Sequence, residues 1–393
     1  MGSSLLKEYI NRKLSALDLE NELLNLVKLY NKEKKTYLLI YAVDIEKSRM
    51  VDITLSMSDY HVIHELLRHH RGTSIDIYLE TLGGSGEAAE EIVEFLHNKF
   101  ETVDFVIAGE SKSAGTLMAL SADEIYMTDS GSLGPIDAQV KVGRSYVSAF
   151  DYVKWIEQKR KEAEESKNLN LVDSTMIAQI TPGEFEGVQN AQQFAIDKVK
   201  EWLPKYKFKH WKQTETRKIE VTEELKTKQA EKIAKRMMDS EKWRSHARSL
   251  KIKDLVDYVG LRINKLEENP KMCDLVYRIK TVIKLLFGSS THYKMFVIED
   301  EKIFRDSYQP GPKGLSPVKL PIIEVSIDCP KCRKKHNLYV KFGVISNTVE
   351  SKLRHKAKKF PSNNKLICDC GYQIDLSGLR NEIEKKIEKK TLD

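Results

Sequence analysis

Between Tyr37 and Asp129 the chain alternates short β-rich apolar runs with amphipathic helical stretches, and that alternation leaves few folds open. The strand-like runs are YLLIYAV from Tyr37, VDITLSM from Val51, SIDIYLE from Ser74, VDFVIAG from Val103 and EIYMTD from Glu124. Helical spacing fills the gaps at about Ser58 to His70, Glu87 to Asn98 and Ala114 to Ala122. Strands separated by single helices predict an α/β domain around a mostly parallel sheet.

After Ala149 the pattern turns helical as far as Phe287, with stretches at 149–167, 183–203 and 219–239. Before Tyr37, residues 4–31 place Leu5, Leu6, Tyr9, Ile10, Leu23, Leu26, Val27 and Tyr30 at helical spacing, as in an arm packed on a core or on a neighbouring subunit. The run QPGPKGLSP at 309–317 predicts a linker. Four segments result: a helical arm over 1–35, an α/β domain over 36–265, a helical extension and linker over 266–318, and a small module over 319–393 ending in a charged helix.

The longest apolar run, Tyr37 to Val43, is too short to span a bilayer. No basic start, apolar centre and small-residue cleavage site marks a leader, so a cytoplasmic location is expected, with no membrane partner. Net charge is +7, yet residues 311–393 hold 18 Lys/Arg against 9 Asp/Glu, so the rest of the chain is slightly acidic. Any attraction to nucleic acid or acidic surfaces therefore belongs to the tail. No phosphate-binding loop of the Walker type occurs, which argues against ATP hydrolysis by this chain.

Two turns carry the chemistry. Thr81-Leu-Gly-Gly-Ser-Gly86 joins a strand to a helix, and its adjacent glycines free main-chain N–H groups for a ligand. Gly109-Glu-Ser-Lys-Ser-Ala-Gly-Thr116 does the same, with Ser113 at the helix start. A serine there is ordinarily an N-cap. Beside a second turn rich in open amides, it is also what acyl transfer needs: a nucleophile near two oxyanion donors.

Together, Gly83-Gly84-Ser85 and Ser113-Ala-Gly-Thr-Leu-Met-Ala-Leu-Ser-Ala-Asp-Glu-Ile resemble the Clp/crotonase serine peptidases, and most closely the serine dehydrogenase proteinase family, related to signal peptide peptidase A and the stomatin-cleaving membrane proteases. Gly131-Ser-Leu-Gly-Pro-Ile-Asp137 matches the segment after that family's active-site helix, and Trp243 to Ile263 resembles a later stretch. The resemblance covers roughly residues 36–265 and implies the Clp/crotonase fold of repeated β-β-α units. It further implies a homo-oligomer, a peptide or protein substrate, Ser113 as nucleophile, and oxyanion donors from Gly83 or Gly84 with the Ala114 N–H. Leu82 departs from the proline that often precedes the glycine pair.

Clp peptidases use a histidine soon after the serine, but none occurs here between His97 and His210. Signal peptide peptidase A and its relatives use a lysine instead. Lys141, Lys154, Lys159 and Lys161 are the candidates, and Lys154 is preferred because Val153, Trp155 and Ile156 offer to desolvate it, which lowers a lysine pKa. His246 is the second choice. The expected activity is ATP-independent serine peptidase chemistry through a Ser-Lys dyad. The alternative is an inactive scaffold of this fold that binds a partner, and a thioester-processing crotonase is disfavoured because Ser113 has no role in enolate stabilisation.

Cys329-Pro-Lys-Cys332 and Cys368-Asp-Cys370 form two close pairs, the spacing of a zinc ribbon with a structural Zn2+. Gly371 completes the second knuckle, His336 is a substitute ligand, and Cys273 reads as a core thiol. Around the pairs lie Arg333, Lys334, Lys335, Arg354, Lys356, Lys358 and Lys359, a candidate docking face for nucleic acid or an acidic protein, or simply a solvated basic face. The histidines at 61, 64, 69 and 70 lack accompanying ligands and read as helix-surface residues.

Overall fold

Seven strands make one mixed sheet whose parallel centre is built from the alternating runs. The structure is a computed structural model that describes residues 4–142, 145–214, 218–307, 323–340 and 357–390. Helices α1 (Leu5–Asn11) and α2 (Ala16–Lys34) lead into β1 (Tyr37–Val43), α3 (Met57–Leu67), β2 (Ser74–Glu80), α4 (Gly86–Lys99) and β3 (Thr102–Ile107). Then come β4 (Glu110–Ser111), α5 (Ala114–Leu120), β5 (Ile125–Met127), β6 (Ser132–Leu133), and the hairpin β7 (Gln139–Val142) and β8 (Ser145–Ser148). Helices α6 (Ala149–Ser166), α7 (Leu171–Ile177), α8 (Pro182–Lys205), α9 (Glu223–Met237) and α10 (Ser240–Trp243) follow. Strand β9 (Asn264–Lys265), α11 (Pro270–Ser289), β10 (His292–Val297) and β11 (Lys302–Asp306) complete the first unit, Met1–Tyr308.

The main sheet runs β11-β10-β1-β2-β3-β5-β9. From β1 to β9 every neighbour is parallel, while β10 and β11 are antiparallel. Both faces are covered, which is why β1 to β3 read as continuous apolar runs and not as alternating ones. The alternation of side chains is still visible in where they pack. Leu39, Tyr41 and Val43 face the core shared with α3, α4, α5 and α9. Leu38, Ile40 and Ala42 face the core shared with α2 and α11. The N-terminal arm therefore packs on the sheet, burying Leu23, Leu26, Val27 and Tyr30.

Two buried ionic clusters are built into this frame. Lys34 Nζ lies 2.6 Å from Asp76 and 3.1 Å from Asp104, and the Tyr30 hydroxyl also donates to Asp76. Burial pushes the Asp104 carboxyl up to about 6 despite Lys34. The second cluster ties α3 to the antiparallel edge. Lys294 Nζ on β10 donates to Asp59 at 2.8 Å and to the Thr54 carbonyl at 2.6 Å, and Arg305 on β11 pairs with the other Asp59 oxygen at 3.0 Å.

Two local readings differ from the sequence expectation. VDITLSM is not a strand of the main sheet: only Ile53 and Leu55 of its side chains are buried, and Leu55 makes one isolated bridge, to Gly84. The stretch expected as a helical extension is helical in α11, but 292–306 is a hairpin closed by Ile298 and Glu301 that pairs with β1. Both outcomes depend on pairing with residues remote in sequence, which local patterning does not record.

The second unit, Gln309–Asp393, holds β12 (Ile323–Asp328), β13 (Lys335–Val340), β14 (Lys358–Lys359), β15 (Lys365–Ile367), β16 (Gln373–Asp375) and α12 (Ser377–Lys390). Its small apolar core centres on Leu338, Leu366 and Leu376. The expected linker at 309–317 lies outside the described residues.

His97 on α4 stacks on Tyr206, with ring centroids 3.4 Å apart, and its Nε2 lies 2.9 Å from the Ser121 carbonyl. Burial pushes this imidazole down to about 4. Below pH 6.5 the unfolded chain takes up a proton that the folded chain refuses until about pH 4, so the stabilisation is complete above 6.5 and is lost as pH falls between those values. Relative to a His97→Gln variant, wild type should lose about 3 kcal/mol over that window. Urea melts at stepped pH measure this, and parallel pH profiles for the two proteins refute it.

Candidate active site and metal centre

Because β2 and β3 are adjacent and parallel, the turns leaving their C-terminal ends emerge side by side, where open α/β sheets place ligands. Main-chain bonds strap the two turns together: Thr81 N–H donates to the Glu110 carbonyl at 2.8 Å and Lys112 N–H to the Thr81 carbonyl at 2.9 Å. On the other flank Leu55 N–H donates to the Gly83 carbonyl at 2.8 Å and Ser85 N–H to the Leu55 carbonyl at 2.9 Å. The segment expected as a strand thus braces the glycine turn.

No other residue fits at 83 or 84. Gly83 has φ +91°, and a Cβ there would lie 2.6 Å from Lys112 O, 2.8 Å from Ser113 Cβ and 2.9 Å from Ala114 N. A Cβ on Gly84 would lie 2.4 Å from Leu55 O. The glycine pair is therefore in direct contact with the turn that carries Ser113.

Ser113 itself has φ +49° and ψ −118°, a conformation that a side chain disfavours, and its hydroxyl makes no capping bond to α5. It is the one residue from Ser111 to Asp123 that is not buried. A hydroxyl presented on a strained strand-to-helix turn is the geometry of a nucleophile elbow. Gly83 N–H is occupied, donating to Thr81 Oγ1 at 3.1 Å. Among the described residues the N–H groups of Gly84 and Ala114 have no protein acceptor, so these are the open donors beside Ser113. Thr116 stiffens the turn by donating to Ser111 O at 2.8 Å and accepting from Gly134 N–H at 2.9 Å.

The candidate bases fall in different surroundings. Lys154 is exposed, and its ammonium is paired with Glu241, which raises its pKa. The apolar neighbours Val153, Trp155 and Ile156 are half-buried, while Lys154 points out beside Asp151, Ser240 and Arg244. Lys159 is likewise raised, by Glu162 and Asp173 at 2.8 and 3.0 Å. Lys161 is exposed, and the Lys141 side chain lies outside the described residues. His246 Nδ1 lies 2.8 Å from Asp137 Oδ1, and Asp137 is buried.

Sequence reasoning passed over two residues here. Lys112, next to the serine, is buried and among the described residues forms no ion pair with a carboxylate. Its Nζ donates to Ser249 Oγ at 2.7 Å and to Arg248 O at 3.2 Å, and burial lowers its pKa. Asp137 was visible only as the last letter of the Gly131–Asp137 segment. Neither residue's role is encoded locally, since both partners lie more than a hundred residues away.

In the second unit the four sulfur atoms of Cys329, Cys332, Cys368 and Cys370 lie within 4.8 Å of one another. Sγ separations of 3.7 Å (Cys329 to Cys370) and 3.5 Å (Cys332 to Cys368) approach the roughly 3.8 Å edge of a tetrahedron with metal–sulfur bonds near ~2.3 Å. The two loops are knuckles: Arg333 N–H donates to Cys329 O, Gly371 N–H to Cys368 O, and Arg333 and Gly371 hold φ +55° and +80°. His336 Nε2 approaches Cys368 Sγ at 3.2 Å, outside the four-sulfur set, as a second-layer partner. No other cluster of metal-ligating groups occurs among the described residues, the expected surface histidines included.

Residues 40–270 match the family model described as ClpP-like SDH-type serine proteinase. An uncharacterized protein of Methanocaldococcus jannaschii is 33% identical over 99 residues, which are 25% of this chain and 33% of that protein. A second uncharacterized protein of the same organism is 36% identical over 80 residues, 19% of this chain and 27% of that one. The matches thus span a third or less of those relatives' length. Among solved structures, the 1510-N membrane-bound stomatin-specific protease is similar in two variant forms. One has a TM-score of 0.32 and 12% identity, over 56% of this chain and 79% of that chain. The other, in complex with a substrate peptide, has a TM-score of 0.32 and 12% identity, over 65% and 83%.

Replacing Gly83 by alanine forces a methyl into the Lys112–Ala114 backbone at a positive φ. The expected cost is about 1–3 kcal/mol of stability in urea unfolding. An unchanged midpoint would show that the two turns are not in contact.

Proposed function

The chain belongs to the ClpP-like SDH-type serine proteinases, and from that premise we propose that it is a serine peptidase whose nucleophile is Ser113. The observation that carries the reading is the Ser113 turn itself: a strained, accessible hydroxyl, free of capping, with Gly83 packed against it. Strain of this kind persists only where the surrounding structure enforces it, and here the Thr81–Glu110 and Thr81–Lys112 bonds do so.

In this mechanism Ser113 Oγ attacks a peptide carbonyl, its proton passing to a base as the C–O bond forms. The carbonyl oxygen becomes an oxyanion held by the N–H groups of Ala114 and Gly84. Two such donors are each worth about 10²–10³ in rate in comparable sites. Collapse expels the amine, which takes the proton, and water releases the acyl group by the same route. A Ser-Lys dyad is what the family resemblance implies, with Lys154 preferred among the candidate lysines for its apolar neighbours. It requires Lys154 to part from Glu241 and to shed a proton that this partner helps it keep. The proposed reaction consumes no ATP, in keeping with the lack of a Walker-type loop in this sequence.

Four thiolates and no carboxylate suit zinc, held structurally with every position filled by protein. The exposed Arg333, Lys335, Lys358 and Lys359 beside it support docking of an acidic partner.

Two measurements test these readings. A fluorophosphonate probe should label wild type and leave Ser113→Ala unlabelled; labelling of both, or of neither, removes Ser113 from the role of nucleophile. Elemental analysis of the full chain should give one zinc per chain, with a marked loss in Cys332→Ser. A metal-free wild type purified under reducing conditions rules the zinc out.

A further inference from the structure

A cavity of about 690 Å³ opens at the other end of the strands from Ser113. The serine turn follows the C-terminal end of β3, whereas Glu124 and Arg262, which line the cavity, lie just before β5 and β9 in the same parallel set. The segment that follows α8 supplies another wall, and it is pinned in place. Lys209 pairs with Asp123 and donates to the Glu101 carbonyl at 3.4 Å. Phe208 N–H donates to Leu203 O at 2.8 Å, and Trp211 N–H to Phe208 O at 3.0 Å. The cavity is therefore separate from the serine turn.

Two kinds of side chain line it. The first kind is cationic. Lys207 is almost wholly covered, its side chain 4% exposed, and its ion-pair partner Glu124 stands at a long 3.4 Å. The same Glu124 oxygen also accepts from Asn264 Nδ2, at 2.7 Å. Asp104, the other acid that Lys207 feels, is held by Lys34 at 3.1 Å. Burial lowers the Lys207 pKa, and the charge of Arg262 works in the same direction. Arg262 and Lys212 are exposed on the cavity, and among the described residues neither side chain has a hydrogen-bond or ion-pair partner. Three cations thus face one carboxylate in the lining, an excess of two charges. The second kind is aromatic. The rings of Phe208 and Trp211 have centroids 5.4 Å apart and are inclined at 60°. Phe208 leans on the main core, while Trp211 is half-buried and its Nε1–H has no acceptor among the described residues.

We propose that this cavity is a binding site for a nucleoside monophosphate. A phosphate monoester carries roughly 1.5 to 2 negative charges at neutral pH, which matches the excess in the lining, whereas a carboxylate meets only half of it. The planar fork of Arg262 suits two phosphate oxygens at once, and Lys207 and Lys212 add point charges. A nucleobase offers a flat face to Trp211, with little preference for which base is present. The volume lies within the roughly 300–1,000 Å³ usual for small-ligand sites. The proposal concerns binding alone, and it stands whether or not Ser113 is a nucleophile.

The test is isothermal titration of the full-length chain with adenosine, guanosine, cytidine and uridine 5′-monophosphates. At least one should bind, one per chain, with a Kd below about 1 mM. Arg262→Gln and Trp211→Leu should each weaken that binding about tenfold or more, and Trp211→Phe should recover most of what Trp211→Leu loses. Ribose 5-phosphate and inorganic phosphate should bind about tenfold more weakly than the nucleotide, or worse. Thermal melting checks folding, and Arg262→Met and Trp211→Met serve where a first variant is unfolded. Absence of binding by all four nucleotides overturns the proposal. Wild-type affinity in a folded Arg262→Gln or Trp211→Leu variant overturns it too, by putting the nucleotide elsewhere on the chain. Equal affinity for inorganic phosphate also overturns it, because a simple anion site then accounts for the binding.

Discussion

The absence of a side chain at position 83 is the constraint on which the site depends. Parallel pairing of β2 and β3 delivers two turns to the same sheet edge, but adjacency alone leaves them a side chain apart. Only a glycine lets the first turn touch Lys112 O, Ser113 Cβ and Ala114 N. Once they touch, Thr81 exchanges main-chain bonds with both Glu110 and Lys112, and that ladder holds Ser113 in a conformation it does not favour. Accessibility of the hydroxyl and openness of the Gly84 and Ala114 amides follow from the same contact.

How much of this was legible in the sequence depends on the range of the interaction. The α/β alternation was legible because period and length are local, and so were the glycine turn and the serine turn as neighbouring strand-to-helix turns and the two cysteine pairs as one cluster, since each is marked by particular residue types at short spacing. The environment of Lys154 was not. Its flanking apolar residues are real, yet a helix turns each of them toward a different neighbour, and Glu241, remote in sequence, decides the charge. Asp137 and Lys112 were equally silent, because an isolated Asp after a Pro-Ile pair and a Lys before a Ser mean nothing until residues 246–249 are brought to them. The β10–β11 hairpin was hidden for the same reason, since its partner is the first strand of the domain.

The two units illustrate different solutions to the problem of stability. The first buries a sheet on both faces and tolerates the cost of the Asp76 and Asp59 clusters because each acid finds a cation. Among the described residues the second centres on three buried leucines. Beside that core, four sulfur atoms already spaced as a coordination tetrahedron are suited to cross-link the two knuckles through a metal ion.

Placing β10 against β1 also has a temporal meaning. While the nascent chain is still on the ribosome, the strand that opens the sheet has one bare edge, and the carboxylate of Asp59 beneath α3 has neither Lys294 nor Arg305 to neutralise it. Translation must run past Arg305 before that acid is matched and the edge is covered. The scaffold of the Ser113 turn is thus completed by nearly the last residues of its own unit, so the sheet that carries the turn is fully edged only when that unit has been made.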